Sequence, residues 1–296
     1  MSEAREMVVD TRVPAVKAVL LSPQRPLGQH PLLVVGCSLG TSSVLWEHVG
    51  ALLGGGTGGG TGGQDDGGTP VDVVAWDLPG HGVSPASESP FTVAGLAEAV
   101  ITLVDSIAPG AQFHYAGVSL GGAVGLQLGI DHGTRLLGLS VQCSGPKLGS
   151  PEAWAERANT VRTQGTPVMI QGSAQRWFAK GSMDRDPVLA SRLLHSLRDA
   201  DRFSYAHCCG ALAGFDVRGE LGRIRVPFQA VAGEEDTVAP PEMAQAMVDA
   251  VNATPNAPSP NGALSVTLPH VSHLAPAEAP GEVARLLRSL IEGNQP

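Results

Sequence analysis

The sequence predicts an α/β fold: a doubly wound, mostly parallel sheet with an inserted helical cap. Two observations carry this expectation. Short, continuous apolar runs alternate along the chain with amphipathic helical patterns, the order of a parallel sheet covered on both faces. Late in the chain the strand signals stop between residues 146 and 215 and helical patterns take over, as in an insertion over the carboxyl edge of such a sheet. The core is therefore assigned to residues 1–145 and 216–296, and the cap to 146–215.

The predicted strands are Leu32 to Val35, Val71 to Trp76, Phe113 to Ala116, Leu136 to Val141, Phe228 to Ala232 and Leu264 to Leu268. Most are β-branched or continuously apolar rather than alternating, which suits strands buried on both faces. Val93, Leu96, Val100, Leu103, Val104 and Ile107 recur at helical spacing behind a Thr92 cap, and Val283, Leu286, Leu287, Leu290 and Ile291 do the same. In the insertion, helices are expected around Glu152 to Thr163, Pro167 to Phe178 and Pro187 to His195. Two segments fall outside this pattern. Gly54 to Pro70 is almost entirely Gly, Thr and Asp and reads as a disordered surface loop; no Lys follows as in a phosphate-binding GxxxxGK[ST]. Asn252 to Ala263 reads as a second surface insertion.

A formal charge of -9 and the lack of a long Lys/Arg run argue against nucleic-acid or anionic-membrane partners. Asp10, Arg12, Pro14 and Lys17 interrupt the first twenty residues, so no signal peptide or membrane span is expected and the chain reads as cytoplasmic. Cys37, Cys143, Cys208 and Cys209 match no disulfide framework or zinc spacing and read as free buried thiols.

The chemistry centres on Gly117-Val118-Ser119-Leu120-Gly121, which follows the Phe113 strand directly and opens a helix through Gly122-Ala123-Val124-Gly125. This is a GxSxG nucleophile elbow in its strand-turn-helix context, and the α/β-hydrolase fold is the architecture that carries it. The turn strains the serine, so Gly117, Gly121 and Gly122 are needed where a side chain would collide. A serine nucleophile needs a base held by a carboxylate, and in this fold the chain order is Ser, acid, His. After the Phe228 strand come Glu234, Glu235 and Asp236; Asp236 is chosen, with Glu235 as the second candidate, and Asp216 is read as a residue of the cap-to-core connection. After the Leu264 strand come His270 and His273; His273 is chosen, and His270 reads as a solvated loop histidine. The expected oxyanion hole consists of the backbone N–H groups of Leu120 and of Leu39, the latter in the loop Gly36-Cys37-Ser38-Leu39-Gly40-Thr41. Cys37 has nothing basic beside it and is not expected to be a nucleophile.

With these residues in place, the chain resembles 3-oxoadipate enol-lactonases. The motifs that carry the resemblance are Ser38-Leu39-Gly40-Thr41 with Trp46; the elbow run Gly117 to Gly125; Trp154 with Arg157, Thr160 and Val161; Arg176-Trp177-Phe178; Tyr205 with Cys209; and Leu221 to Pro227 leading to Ala232, Gly233 and Asp236. The chain departs from the family at Asp77-Leu78-Pro79-Gly80-His81-Gly82, where an Arg commonly precedes the Gly-His-Gly, and at Pro276 and Pro280. The resemblance implies Ser119, Asp236 and His273 as catalytic residues, a small-molecule anionic lactone as substrate, and no metal or organic cofactor. It also implies substrate contacts from Ser38, Trp154, Arg157 and Arg176. The two arginines are the candidates for holding the substrate carboxylate, unless either pairs with an acid such as Glu152 or Glu156. The rival expectations are another ester hydrolase, lactonase, perhydrolase or carbon–carbon bond hydrolase on the same scaffold, or a non-catalytic binding protein of that fold. Dehalogenases and epoxide hydrolases need an aspartate at the elbow, which Ser119 excludes.

Overall fold

A computed structural model of the chain describes residues 13–22, 27–55, 68–253 and 263–293. Among these residues seven strands form one sheet: β1 (Lys17–Leu20), β2 (Leu32–Gly36), β3 (Asp72–Asp77), β4 (Phe113–Val118), β5 (Leu136–Gln142), β6 (Phe228–Gly233) and β7 (Leu264–Leu268), in the order β1-β3-β2-β4-β5-β6-β7. All neighbours are parallel except β1, which runs antiparallel to β3. The six strands predicted from apolar runs are all present; β1 was not predicted.

The helices are α1 (Glu47–Leu53), α2 (Val93–Ile107), α3 (Leu120–Asp131), α4 (Pro151–Gln164), α5 (Ile170–Trp177), α6 (Ser182–Arg185), α7 (Pro187–Asp199), α8 (Arg202–Ala213), α9 (Pro241–Asn252), α10 (Ala275–Glu278) and α11 (Pro280–Ile291). Thr92 caps α2 as expected, its hydroxyl accepting the Gly95 N–H at 3.0 Å. Alternation along β4 assigns the two faces of the sheet. Tyr115 packs toward α3 at Gly125, and His114 toward Gly138 and Leu290 of α11. The approach of α3 is close: a Cβ on Gly125 would stand 2.9 Å from the Tyr115 ring, so the helix needs a small residue where it meets that ring.

Between β5 and β6 the chain forms only helices, α4 to α8 and two short 3-10 turns. Its two ends are pinned together. Val217 donates its N–H to the Pro146 carbonyl (2.9 Å), and Asp216 accepts from Lys147 (3.2 Å) and Arg218 (2.7 Å). The expected helix from Pro167 begins as a 3-10 turn, Thr166–Met169, before α5 proper. Helix α8 was not anticipated. Of the Gly-rich segment, residues 56–67 lie outside the described residues, as do 254–262 of the second predicted insertion.

The chain order reverses across the sheet between β2 and β4: β3 lies on one side of β2, and β4 to β7 extend from the other. Ligands of open α/β sheets bind at such a switch point, outside the carboxyl ends of the strands. Here those ends are Gly36 and Val118, with Gly36 in register with Gly117.

Candidate active site

Ser119 stands at the end of β4 with φ 56° and ψ -115°, a left-handed conformation that side-chain-bearing residues rarely adopt. Its backbone is fixed from three sides. Its N–H donates to the Gln142 carbonyl (3.0 Å), its carbonyl accepts from the Ser144 hydroxyl (2.7 Å), and the Ala123 N–H closes the first turn of α3 onto it (2.9 Å). The neighbouring glycines are sterically required, since a Cβ on Gly121 would lie 2.5 Å from the Gly36 carbonyl carbon and one on Gly122 2.5 Å from Ser144. Beneath the turn, Trp76 donates to the Tyr115 hydroxyl (3.2 Å), which donates to the Gly121 carbonyl (3.0 Å).

Asp236 and His273 come from the loops after β6 and β7. The His273 Nδ1 meets Asp236 Oδ2 at 2.9 Å, and both side chains are buried. The other oxygen of Asp236 accepts the N–H groups of Val238 (2.8 Å) and Ala239 (3.1 Å), so the carboxylate is oriented before the histidine reaches it. Neither alternative occupies this place. Glu235 accepts the Lys180 N–H, and His270 is exposed, with φ 57° and its N–H on Glu234.

Ser38, Leu39, Ser119, Trp154, Arg157, Arg176 and His273 open onto one cavity of about 370 Å³, together with Trp177, Thr237 and Val238. The Ser38–Thr41 turn has Gly40 at φ 87° and the Thr41 N–H on the Ser38 carbonyl (3.0 Å), a type II arrangement that needs glycine at its third position. No acceptor among the described residues takes the N–H of Leu39 or of Leu120, the first residue of α3. Both remain available to a ligand. Trp46 braces the loop from below, its indole donating to the Gly36 carbonyl at 3.1 Å.

The helical insertion supplies the cations. Arg157 lies over the Trp154 and Tyr205 rings, 5.5 and 5.7 Å from their centroids, and its buried Nε has no hydrogen-bond partner among the described residues. Burial, and then the nearby Arg157 charge, pull the Arg176 guanidinium below its ordinary pKa. Among the described residues neither arginine pairs with an Asp or Glu, Glu152 and Glu156 included. All four cysteines are free and buried, and burial, followed by the Asp77 charge, pushes the Cys37 thiol well up, away from thiolate chemistry. Among the described residues no His/Cys/Asp/Glu cluster could hold a metal ion, and no helix is long and apolar enough to cross a membrane.

Sequence reasoning missed Thr237 and Val238, whose nearness to Asp236 is the only signal that could have found them. It also missed α8, which sets Tyr205 beneath Arg157.

Comparison with known proteins agrees with this architecture. The model of the alpha/beta hydrolase family matches residues 32–286. 3-Oxoadipate enol-lactonase 2 of Acinetobacter baylyi is 34% identical over 70% of this chain and 72% of its own length. 3-Oxoadipate enol-lactonase 1 of the same organism is 29% identical over 80% and 82%. The crystal structure of the enol-lactonase from Burkholderia xenovorans LB400 superposes with a TM-score of 0.81 at 26% identity, covering 94% of this chain and 96% of that one. The resemblance read from the motifs therefore extends through the fold, and the chain belongs to the alpha/beta hydrolase family.

Proposed function

We propose that this protein is a serine hydrolase that opens 3-oxoadipate enol-lactone to 3-oxoadipate, a step of aromatic catabolism by the β-ketoadipate route. The observation that carries the reading is a single cavity that holds a strained serine, a histidine backed by a buried carboxylate, and two guanidinium groups that pair with no carboxylate among the described residues. An acidic protein needs such local cations to hold an anionic substrate. The α4–α8 insertion acts as the cap that supplies them.

In this mechanism the Ser119 hydroxyl attacks the lactone carbonyl as His273 takes its proton, and Asp236 holds the imidazole in the required tautomer. The N–H groups of Leu39 and Leu120 stabilise the oxyanion, aided by the N-terminal end of α3. The ring C–O bond breaks and the leaving enol, protonated by His273, tautomerises to a ketone, which opposes reclosure. Water, deprotonated by His273, then attacks the acyl-enzyme and releases the product. Ser38 and Trp154 line the acyl site, and Arg157 and Arg176 take the acetate carboxylate of the substrate. The chain needs no cofactor for these steps. The free thiols fit a reducing cytoplasm.

Two experiments test the reading. Ser119→Ala should remove turnover and labelling by a fluorophosphonate probe while leaving the melting temperature close to wild type. Arg176→Gln, or Arg157→Gln together with it, should lower kcat/KM for the enol-lactone on the order of thirtyfold or more and spare a neutral p-nitrophenyl ester, since loss of a desolvated charge pair costs roughly 2 to 5 kcal/mol. Equal losses on both substrates would remove the carboxylate clamp, and with it the choice of substrate.

A further inference from the structure

The loop that carries His273 is bound to the cap on both sides of the imidazole. On one side, the Ser272 hydroxyl donates to the Arg176 carbonyl at 3.0 Å; on the other, the Leu274 N–H donates to the Trp177 carbonyl at 3.2 Å. Glu278, one turn further on at the end of α10, bridges the same two segments: Oε1 accepts the N–H of Ala179 at 2.7 Å, and Oε2 accepts the N–H of Ser272 at 2.9 Å. The cap stretch 176–179 thus presents Arg176 and Trp177 to the cavity with its side chains and grips the histidine loop with its backbone.

The chemistry of Glu278 matches this bridging task. A carboxylate has acceptor capacity on both oxygens, so it can take donors from two segments at once; an amide of the same shape has one carbonyl oxygen and would point its NH2 at the second N–H. The tie is made at a cost. Burial pushes the Glu278 carboxyl up from its ordinary pKa, while the Ala179 N–H, the Ser182 hydroxyl and the Ser272 N–H pull it back down. Nothing in the hydrolytic steps above uses this carboxyl, which bonds the neighbour of the base rather than the base.

We propose that Glu278 and Ser272 are positioning residues for the catalytic base: they lock the His273 loop to the cap segment bearing Arg176 and Trp177, so that placement of the imidazole depends on placement of the cap. This rests on His273 being the general base, but not on the identity of the substrate. Displacement of a reacting group by about an ångström can cost on the order of a hundredfold in rate.

The test is steady-state hydrolysis of p-nitrophenyl acetate, a neutral probe that owes nothing to the arginines, by Glu278→Gln, Ser272→Ala and His273→Ala, with melting temperatures alongside. Glu278→Gln and Ser272→Ala are each expected to lower kcat about ten- to hundredfold with KM within about twofold of wild type, in proteins that still melt cooperatively. A folded Glu278→Gln with wild-type kcat, or with KM raised and kcat held, overturns the proposal. If Glu278→Gln does not fold, Ser272→Ala decides it by the same split. His273→Ala separates the two failures: wild-type turnover there removes the base assignment itself, whereas its loss beside an unaffected Glu278→Gln removes only the coupling.

Discussion

His114 gives the acid stability of the fold a direct handle. His114 is the second residue of β4, 5% exposed, its ring facing Gly138 and Leu290, and among the described residues its Nδ1 has no hydrogen-bond partner. Burial lowers its pKa from 6.5 to about 4. Between these values the unfolded chain binds a proton that the folded chain refuses, so stability falls as pH falls from 6.5 towards 4; above 6.5 the residue contributes no pH dependence. At pH 5 the difference amounts to about 2 kcal/mol, the larger part of the full effect reached below pH 4. His114→Phe keeps a ring of similar size and cannot take the proton. Urea unfolding at pH 7.5 and at pH 5.0 should therefore show that wild type loses about 2 kcal/mol more than the variant over that interval. The comparison cancels the other shifted groups, such as His81 and Asp216, because both proteins share them. Equal losses in the two proteins would mean that the folded His114 takes its proton near 6.5, and that it is not held neutral by its surroundings.

Other outcomes follow from particular contacts. Gly121→Ala should fail to give active folded protein or lose on the order of 3 kcal/mol or more in chemical unfolding, because its Cβ would strike the Gly36 carbonyl, which is backbone and cannot swing aside. His273→Ala should cost on the order of a thousandfold or more in turnover, while His270→Ala keeps most activity; the reverse pattern would transfer the base assignment to His270. Removing residues 57–66 should leave both turnover and melting temperature near wild type, since the Val71 N–H on the Leu53 carbonyl (3.0 Å) closes the base of that segment and each doubling of loop length is worth only about 0.6 kcal/mol. A large loss of turnover would make the segment a working part of the site. Arg192→Ala, which breaks an exposed pair with Glu47, should change unfolding free energy by less than about 1 kcal/mol.

What could be read from the sequence is what local geometry dictates. The elbow was legible because a backbone at φ 56° beside two close-packed elements leaves only glycine at fixed neighbours, and those glycines stand in the sequence at fixed offsets from Ser119. The five inner strands, β2 to β6, were legible because burial on both faces demands continuous apolar runs, and the edge strand β7 because Leu264, Val266 and Leu268 alternate along it. Asp236 and His273 could be proposed because each follows such a strand at short range, and the structure places them 2.9 Å apart. Strand β1 escaped notice because four residues on an antiparallel edge need no such run: Lys17 is exposed and the rest are only partly covered.

The helical insertion resists the same treatment for a different reason. Helix α8 buries Ser204, Tyr205, Ala206, Cys208, Cys209, Ala211 and Leu212, residues distributed around much of its circumference, so it presents no apolar stripe whose period could be recognised. The bonds that attach the insertion to the His273 loop and Glu278 use backbone groups of the insertion: the carbonyls of Arg176 and Trp177 and the N–H of Ala179. Every residue but proline carries both groups, so their use leaves no mark on residue type. The side chains at the far ends, Ser272 and Glu278, are ordinary choices for a loop and a helix end. Their function depends on which backbone lies across from them, some 96 to 99 positions away in the chain. The candidate catalytic groups are thus read from the sequence through what they demand of their neighbours, whereas the proposed coupling of the insertion to the His273 loop is a property of tertiary contact alone.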